Sequence, residues 1–398
     1  VLHHELFHAF INDCVYGGSL RKKITRSIEF NIPLWMNEGL AEYSSSNWDT
    51  NSDMWMRDLT VNSDQLLNIN QLGGYLSYRG GQSVWRFITS KWGNESIAEI
   101  FYQIKRNKSI DKGIEQSIGI NLETLNNQWK NYVKELYWDE IGVRENINEF
   151  ARQLTNHEDW GNSYNIAPSI SPNGGKIAIL SNKDGPMSIY IISSDNGKII
   201  KKIVEGERNT EYEELHILKP GISWSPDGNS IVFSAKSGKS DVLYIIDSKT
   251  YEKEKIRLNN IEGVFRPSWS PQGDKIAFIG NNGKSSDIYI YDVVSKIVSS
   301  VTNDWYSEDH VSWYPDGNKL IFVSDRGNNI DINISDRNLY FSNQLDIYSL
   351  SLDDKVITRL TNTEYNESYP VISSSDNTTA YISDETGVNN IYLTNKIG

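Results

Sequence analysis

Apolar residues recur at helical spacing through the early part of the chain and alternate in short runs through the rest. Leu2 to about Val15 reads as a helix ended by Gly17-Gly18, glycines suited to the left-handed turn that closes a helix. Pro33 to Tyr43 reads as a second helix, with Pro33 at its first position and a fade at Ser44-Ser45-Ser46. Between them, Tyr16 to Ile32 carries Gly17, Gly18 and Arg21-Lys22-Lys23 and reads as a solvated connection. Residues from Asn47 to about Gly74 are polar with scattered Trp and Leu, and are expected to be loop and short helix. A third helix is expected from about Tyr78 to Trp92, stopped by Gly93. Asn94 is the expected N-cap for the stripe Ile97, Ile100, Phe101 and Ile104. The last helix follows Asn121 and is expected to bury Leu122, Leu125, Trp129, Val133 and Leu136.

Near Ile147 strands and turns take over, and the chain begins to repeat itself. Ile170-Ser171-Pro172-Asn173-Gly174, Trp224-Ser225-Pro226-Asp227-Gly228, Trp269-Ser270-Pro271-Gln272-Gly273 and Trp313-Tyr314-Pro315-Asp316-Gly317 are each followed by an apolar run. A worn copy spans Ser374 to Tyr381. After each copy comes a second run with an apolar-Tyr pair: Ile189-Tyr190, Leu243-Tyr244, Ile288-Tyr289, Ile347-Tyr348 and Ile391-Tyr392. A Pro-x-Gly turn between alternating runs specifies a hairpin. Several short strands per repeat specify propeller blades. The expected fold class is therefore multidomain, a helical part over 1–147 followed by an all-β propeller over 148–398. Long spacers at about 206–216 and 327–344 are expected to be surface insertions.

A length of 398 residues exceeds one ordinary core and agrees with two domains. The formal charge of -13, with no concentrated basic tract, excludes nucleic acid as a partner. The single cysteine, Cys14, excludes an internal disulfide and, lying inside the first helix, is expected to be buried. No apolar run is long enough to cross a membrane.

The chemistry is concentrated in His4-Glu5-Leu6-Phe7-His8 and Pro33-Leu34-Trp35-Met36-Asn37-Glu38-Gly39-Leu40-Ala41-Glu42. Residues four apart share a helix face, so His4 and His8 can point at one ion. Two histidines, a carboxylate and a water make an open zinc site of the catalytic kind. Glu5 sits beside that stripe, where it can serve as general base. His3 is one residue off the face and reads as packed or solvent-facing. Glu38 and Glu42 also share a face: one can bind Zn2+ while the other accepts a hydrogen bond from a ligand histidine.

Trp35-Met36-Asn37-Glu38-Gly39-Leu40-Ala41 resembles the W-L-N-E-G-F-A segment of aminopeptidase N-like gluzincins, zinc peptidases of the peptidase MA type. The resemblance implies that Glu38 is the third zinc ligand and that Glu42 is the partner of a ligand histidine. Tyr78-Arg79-Gly80-Gly81-Gln82-Ser83-Val84 resembles the family's Y-S-K-G-A-S-V segment, which implies that Tyr78 is a catalytic hydrogen-bond donor to the oxyanion. Arg79 and Gly80 depart from that pattern at positions with no catalytic role. Gluzincins carry a substrate-binding β-sheet ahead of the zinc helix. This chain opens on that helix without an initiator Met, so it is expected to be a fragment. The β repeats resemble the W-S-P-D-G…I-A-F…D-I-Y blades of TolB-like six-bladed propellers, with five copies visible and a sixth expected beyond them.

The implied protein is a zinc metallopeptidase with a peptide or protein substrate and a propeller that binds a partner. The pairing implies an exported bacterial envelope protein, periplasmic or cell-surface. The alternative is a non-catalytic envelope scaffold whose propeller docks a protein. Asp309-His310 does not make a triad, and His157, His216 and His310 read as structural.

Overall fold

The computed structural model describes residues 2–17, 31–46, 48–61, 66–140, 147–162, 164–206, 211–331 and 344–395. The basic segment Arg21-Lys22-Lys23 lies outside the described residues, as do 207–210 and 332–343 of the two spacers. The chain forms two compact units, Val1–Glu149 and Phe150–Gly398.

The first unit contains α1 (Leu2–Tyr16), α2 (Leu34–Ser46), α3 (Thr50–Val61), α4 (Leu76–Trp92), α5 (Glu95–Asn107), α6 (Ile110–Ile118) and α7 (Leu122–Tyr137). Its core gathers Ile11 and Val15 of α1, Trp35, Met36 and Leu40 of α2, Trp85 and Ile88 of α4, and Trp129 and Val133 of α7. Two buried indoles also fix the helices by hydrogen bonds. Trp85 Nε1 donates to the Met36 carbonyl at 3.0 Å, and Trp129 Nε1 donates to Ser83 Oγ at 3.1 Å. A buried indole N–H left unpaired is costly, so each Trp specifies position as well as volume.

The pairing of α2 with α4 depends on glycine. A Cβ on Gly39 would overlap the backbone of Gly81, and one on Gly81 would overlap the Trp35 carbonyl. These glycines let the helices approach backbone to backbone, next to Glu38 on one and near Tyr78 on the other. Gly39→Ala is expected to force them apart, costing about 1–3 kcal/mol or more in thermal or urea unfolding, and to weaken metal binding with it. Unchanged stability and metal affinity would show that the close approach is not required.

Several expectations are corrected. Pro33 takes the N-cap place rather than the first helical position: α2 begins at Leu34, and the Pro33 carbonyl accepts from the Met36 and Asn37 N–H groups. The polar segment after Asn47 holds a full helix, α3, capped by Asp49 Oδ1, which accepts from the Ser52 N–H at 2.7 Å. Asn94 is itself helical and makes no side-chain cap. The segment before Asn121 includes α6, separated from α5 by left-handed Lys108 and capped by Ser109. Leu136 is 42% exposed; Tyr137 takes the buried position and donates to Asp53 Oδ1 at 2.9 Å. Cys14 is half-buried.

The second unit is five antiparallel sheets in chain order, each a meander. The blades are β1 (Asn165–Ile170) to β4 (Ile199–Glu205), β5 (Ile222–Trp224) to β8 (Lys253–Arg257), β9 (Gly263–Trp269) to β12 (Val298–Ser300), β13 (Glu308–Trp313) to β16 (Ile357–Arg359), and β17 (Glu367–Ile372) to β19 (Asn390–Thr394). The first strand of each blade packs against the first strand of the next, so these strands line the axis. Each of the five repeat copies forms the turn between first and second strands, with Gly174, Gly228, Gly273 and Gly317 at positive φ in the four intact ones. The Tyr of each apolar-Tyr pair lies on the third strand. Tyr244, Tyr289, Tyr348 and Tyr392 stack on the aromatic directly across on the second strand, with ring centroids 5.3–5.8 Å apart.

The spacer before β5 is not a surface insertion. Tyr212, Leu215 and His216 are buried, and the Tyr212 ring lies 4.9 Å from that of Tyr244. His216 Nε2 lies 2.9 Å from Asp241 Oδ2, the structural role expected for it.

Between the third and fourth blades, Asp287, Asp304 and Glu308 are buried with carboxylate oxygens within 4.8 Å of one another, and Arg326 is the buried cation beside the last two. Arg326 pairs with Asp304 at 3.0 Å and with Glu308. Three carboxyls cannot all ionise around a single buried cation. Burial, opposed by Arg326, pushes Glu308 up to about 8, and Asp287 is raised by burial as well. The folded state therefore holds a proton that the unfolded chain releases above its ordinary carboxyl range. Stability from this group is full below pH 4.5 and is lost as pH rises toward 8. Glu308→Gln is expected to flatten that slope in urea unfolding between pH 5 and 8. A variant with the parent's slope would contradict the assignment.

Candidate metal centre

The helices bring four of the six predicted side chains to one point and set the other two beside it. His4 and His8, one turn apart on α1, face Glu38 on α2. His4 Nε2 lies 3.0 Å from His8 Nε2 and 3.3 Å from Glu38 Oε2, and His8 Nε2 lies 3.1 Å from the same oxygen. These three atoms form a nearly equilateral triangle. Donors about 2.0–2.1 Å from a tetrahedral zinc stand roughly 3.3–3.4 Å apart, so the triangle matches one face of such a site, slightly contracted. Two imidazole nitrogens and a carboxylate oxygen are also a donor set zinc takes. His4, His8 and Glu38 could hold a metal ion.

Glu42 stands behind the triangle, with Oε1 3.2 Å from His4 Nδ1. A carboxylate there favours the tautomer with the proton on Nδ1 and the lone pair on Nε2, facing the site. Tyr78, on α4, lies on the other side: its ring stacks on His4 at 6.0 Å and 15°. Burial, then the charge of Glu38 and a hydrogen bond to it, then the charges of Glu42 and Glu5, raise the Tyr78 hydroxyl above its ordinary range. It is a phenol, hence a donor, throughout the neutral range. Glu5 is exposed beside the metal-facing stripe, close enough for its charge to act on Tyr78. His3 is exposed and outside the group, as expected.

Sequence reading missed Arg79. Its Nη1 donates to Glu42 Oε2 at 3.0 Å and to Ser52 Oγ at 3.1 Å, and its Nε donates to the Tyr75 hydroxyl at 3.0 Å. Arg79 thus clamps Glu42, which in turn faces His4. The signal was the departure itself: a cation one residue after Tyr78, on a helix that must meet the Glu38–Glu42 helix.

Residues 16–135 match the model of the Peptidase MA superfamily, and residues 210–339 match that of the TolB beta propeller domain. The first match covers Glu38, Glu42 and Tyr78 but begins after His4, Glu5 and His8. The chain therefore carries a Peptidase MA superfamily domain followed by a five-bladed β-propeller of TolB type. Similar solved structures include a TolB-designated protein of Agrobacterium tumefaciens, at 20% identity and TM-score 0.47, covering 58% of this chain and 76% of that one. Another is TolB of Acinetobacter baumannii, at 18% identity and TM-score 0.41, covering 58% of this chain and 55% of that one. This chain thus spans just over half of the Acinetobacter protein's length. No curated protein matches the chain. Among the described residues no helix is long and apolar enough to cross a membrane.

Proposed function

We propose that the chain is a zinc-dependent peptidase of the gluzincin kind, with His4, His8 and Glu38 as the zinc ligands. The observation that carries this reading is the triangle of His4 Nε2, His8 Nε2 and Glu38 Oε2, backed by Glu42 and flanked by Tyr78. A bound zinc ion supplies Lewis acidity toward the scissile carbonyl and acidifies a water. The Glu5 carboxylate takes the proton of the attacking water and delivers it to the leaving nitrogen. The Tyr78 hydroxyl donates to the oxyanion as the carbonyl carbon becomes tetrahedral. Glu42 holds His4 in the ligating tautomer, and Arg79 holds Glu42. The propeller serves as the partner-binding or substrate-binding part of an exported envelope protein, periplasmic or cell-surface.

The test is hydrolysis of internally quenched peptides by the full chain. Activity is expected to vanish with a zinc chelator and to return with equimolar zinc. Hydrolysis indifferent to chelation would reject the zinc mechanism.

A further inference from the structure

The innermost strands of the propeller converge on an axial cavity of about 630 Å³, in the size range of small-ligand sites. Each blade contributes one residue at the corresponding position: Ala167, Gly221, Arg266, His310 and Tyr369. Four of them have φ between 50° and 52°, each where the strand register slips. A bulge of this kind re-aims a side chain, and strained backbone of this kind clusters at binding sites. The rest of the wall is mostly apolar, with Ser223, Ser268 and Ser312 between aliphatic residues and prolines, and Ile217, Leu218 and Val371 exposed.

The charged and aromatic polar residues of the lining, Arg266, His310 and Tyr369, come from the third, fourth and fifth blades. Arg266 Nε lies 2.6 Å from Asp309 Oδ1, Lys219 Nζ lies 3.2 Å from Asp309 Oδ2, and Arg266 Nη1 donates to the Tyr369 hydroxyl at 3.1 Å. His310 packs against Tyr369, ring centroids 4.0 Å apart. Both its ring nitrogens are buried, and neither has a hydrogen-bond partner among the described residues. Burial, with Arg266 and Lys219 adding to it and Asp309 opposing, pushes His310 down to about 3, so the ring is neutral. Two cations thus share Asp309 among the described residues, Lys219 with its side chain 43% exposed and Arg266 largely buried, in a chain whose formal charge is -13. Arg266 is the cation that lines the cavity, and a guanidinium matches a carboxylate in shape as well as charge.

We infer that the axial cavity binds the free C-terminal carboxylate of a peptide with apolar end residues, through Arg266, His310 and Tyr369. The carboxylate pairs with the Arg266 guanidinium, His310 supplies a ring N–H to it, and the apolar part of the wall takes the side chains. The choice of a peptide over another carboxylate rests on the peptidase reading, since peptide-bond cleavage releases a new carboxyl terminus.

Calorimetry on the full chain, with zinc removed by chelation so that nothing is turned over, tests this. The probes are acetyl-Ala-Leu-Ile as free acid, the same peptide as its amide, and decanoate. The free acid is expected to bind about tenfold or more tighter than the amide and than decanoate, one hydrogen-bonded charge pair's worth of discrimination. Arg266→Met is expected to erase the difference between acid and amide. Equal binding of acid and amide, or no binding of either at millimolar concentration, overturns the site. Decanoate binding as tightly as the free acid overturns the peptide assignment. The comparison in the unaltered protein stands even if Arg266→Met fails to fold. Binding without any peptidase activity would leave the site intact and remove only the peptidase reading, so the two can fail separately.

Discussion

Glu5→Gln is expected to keep zinc at full stoichiometry while lowering peptide hydrolysis by roughly a hundred- to ten-thousand-fold, the usual worth of a general base. Gln has the shape of Glu but no basic oxygen, so it can neither accept the water's proton nor pass it on. Glu5 is exposed and outside the triangle of donor atoms, so its replacement disturbs no ligand and no core contact. The separation of effects is the point: metal content is read by elemental analysis and turnover by quenched-peptide cleavage. Unchanged turnover would remove Glu5 from the mechanism. Loss of zinc together with turnover would mean that Glu5 acts on the metal site itself.

Glu38→Ala should do the opposite, abolishing activity because zinc is lost. Glu38 Oε2 is the apex shared by both histidines, 3.3 Å from His4 Nε2 and 3.1 Å from His8 Nε2. Loss of an outer partner of a ligand typically weakens metal binding about 10–100-fold, and loss of a ligand should exceed that. The substitution spares the buried face of α2, since Trp35, Met36 and Leu40 carry its packing. Competition with a chromophoric chelator measures the affinity, and circular dichroism checks the helices. An affinity equal to the parent's would exclude Glu38 as a ligand.

Much of this architecture was legible where local pattern and tertiary demand agree. The α1 and α2 motifs could be read because histidines and carboxylates four apart must share a face. The blades could be read because a Pro-x-Gly turn needs its glycine at positive φ wherever it occurs. The helix α3 was hidden because only Ser52 and Met56 of it are buried, too few to make an apolar stripe, although Asp49 ahead of it was a cap signal. Arg79 could not be assigned a role until α4 was seen to lie against α2. Its partners Glu42 and Ser52 are 37 and 27 residues away in sequence. Asp309, His310 and Arg266 looked ordinary for the same reason: their convergence comes from the packing of successive first strands against one another. The Glu308–Arg326 cluster likewise joins residues on different strands, and nothing in the sequence marks either as buried.

The metal centre is tested most directly by the zinc content of the full chain after dialysis against micromolar zinc and then zinc-free buffer. One zinc per chain is expected, and none in a His4→Ala/His8→Ala variant that keeps its helical circular dichroism. A parent chain without zinc, or a double variant that still retains it, would contradict the assignment of His4, His8 and Glu38 as a metal centre.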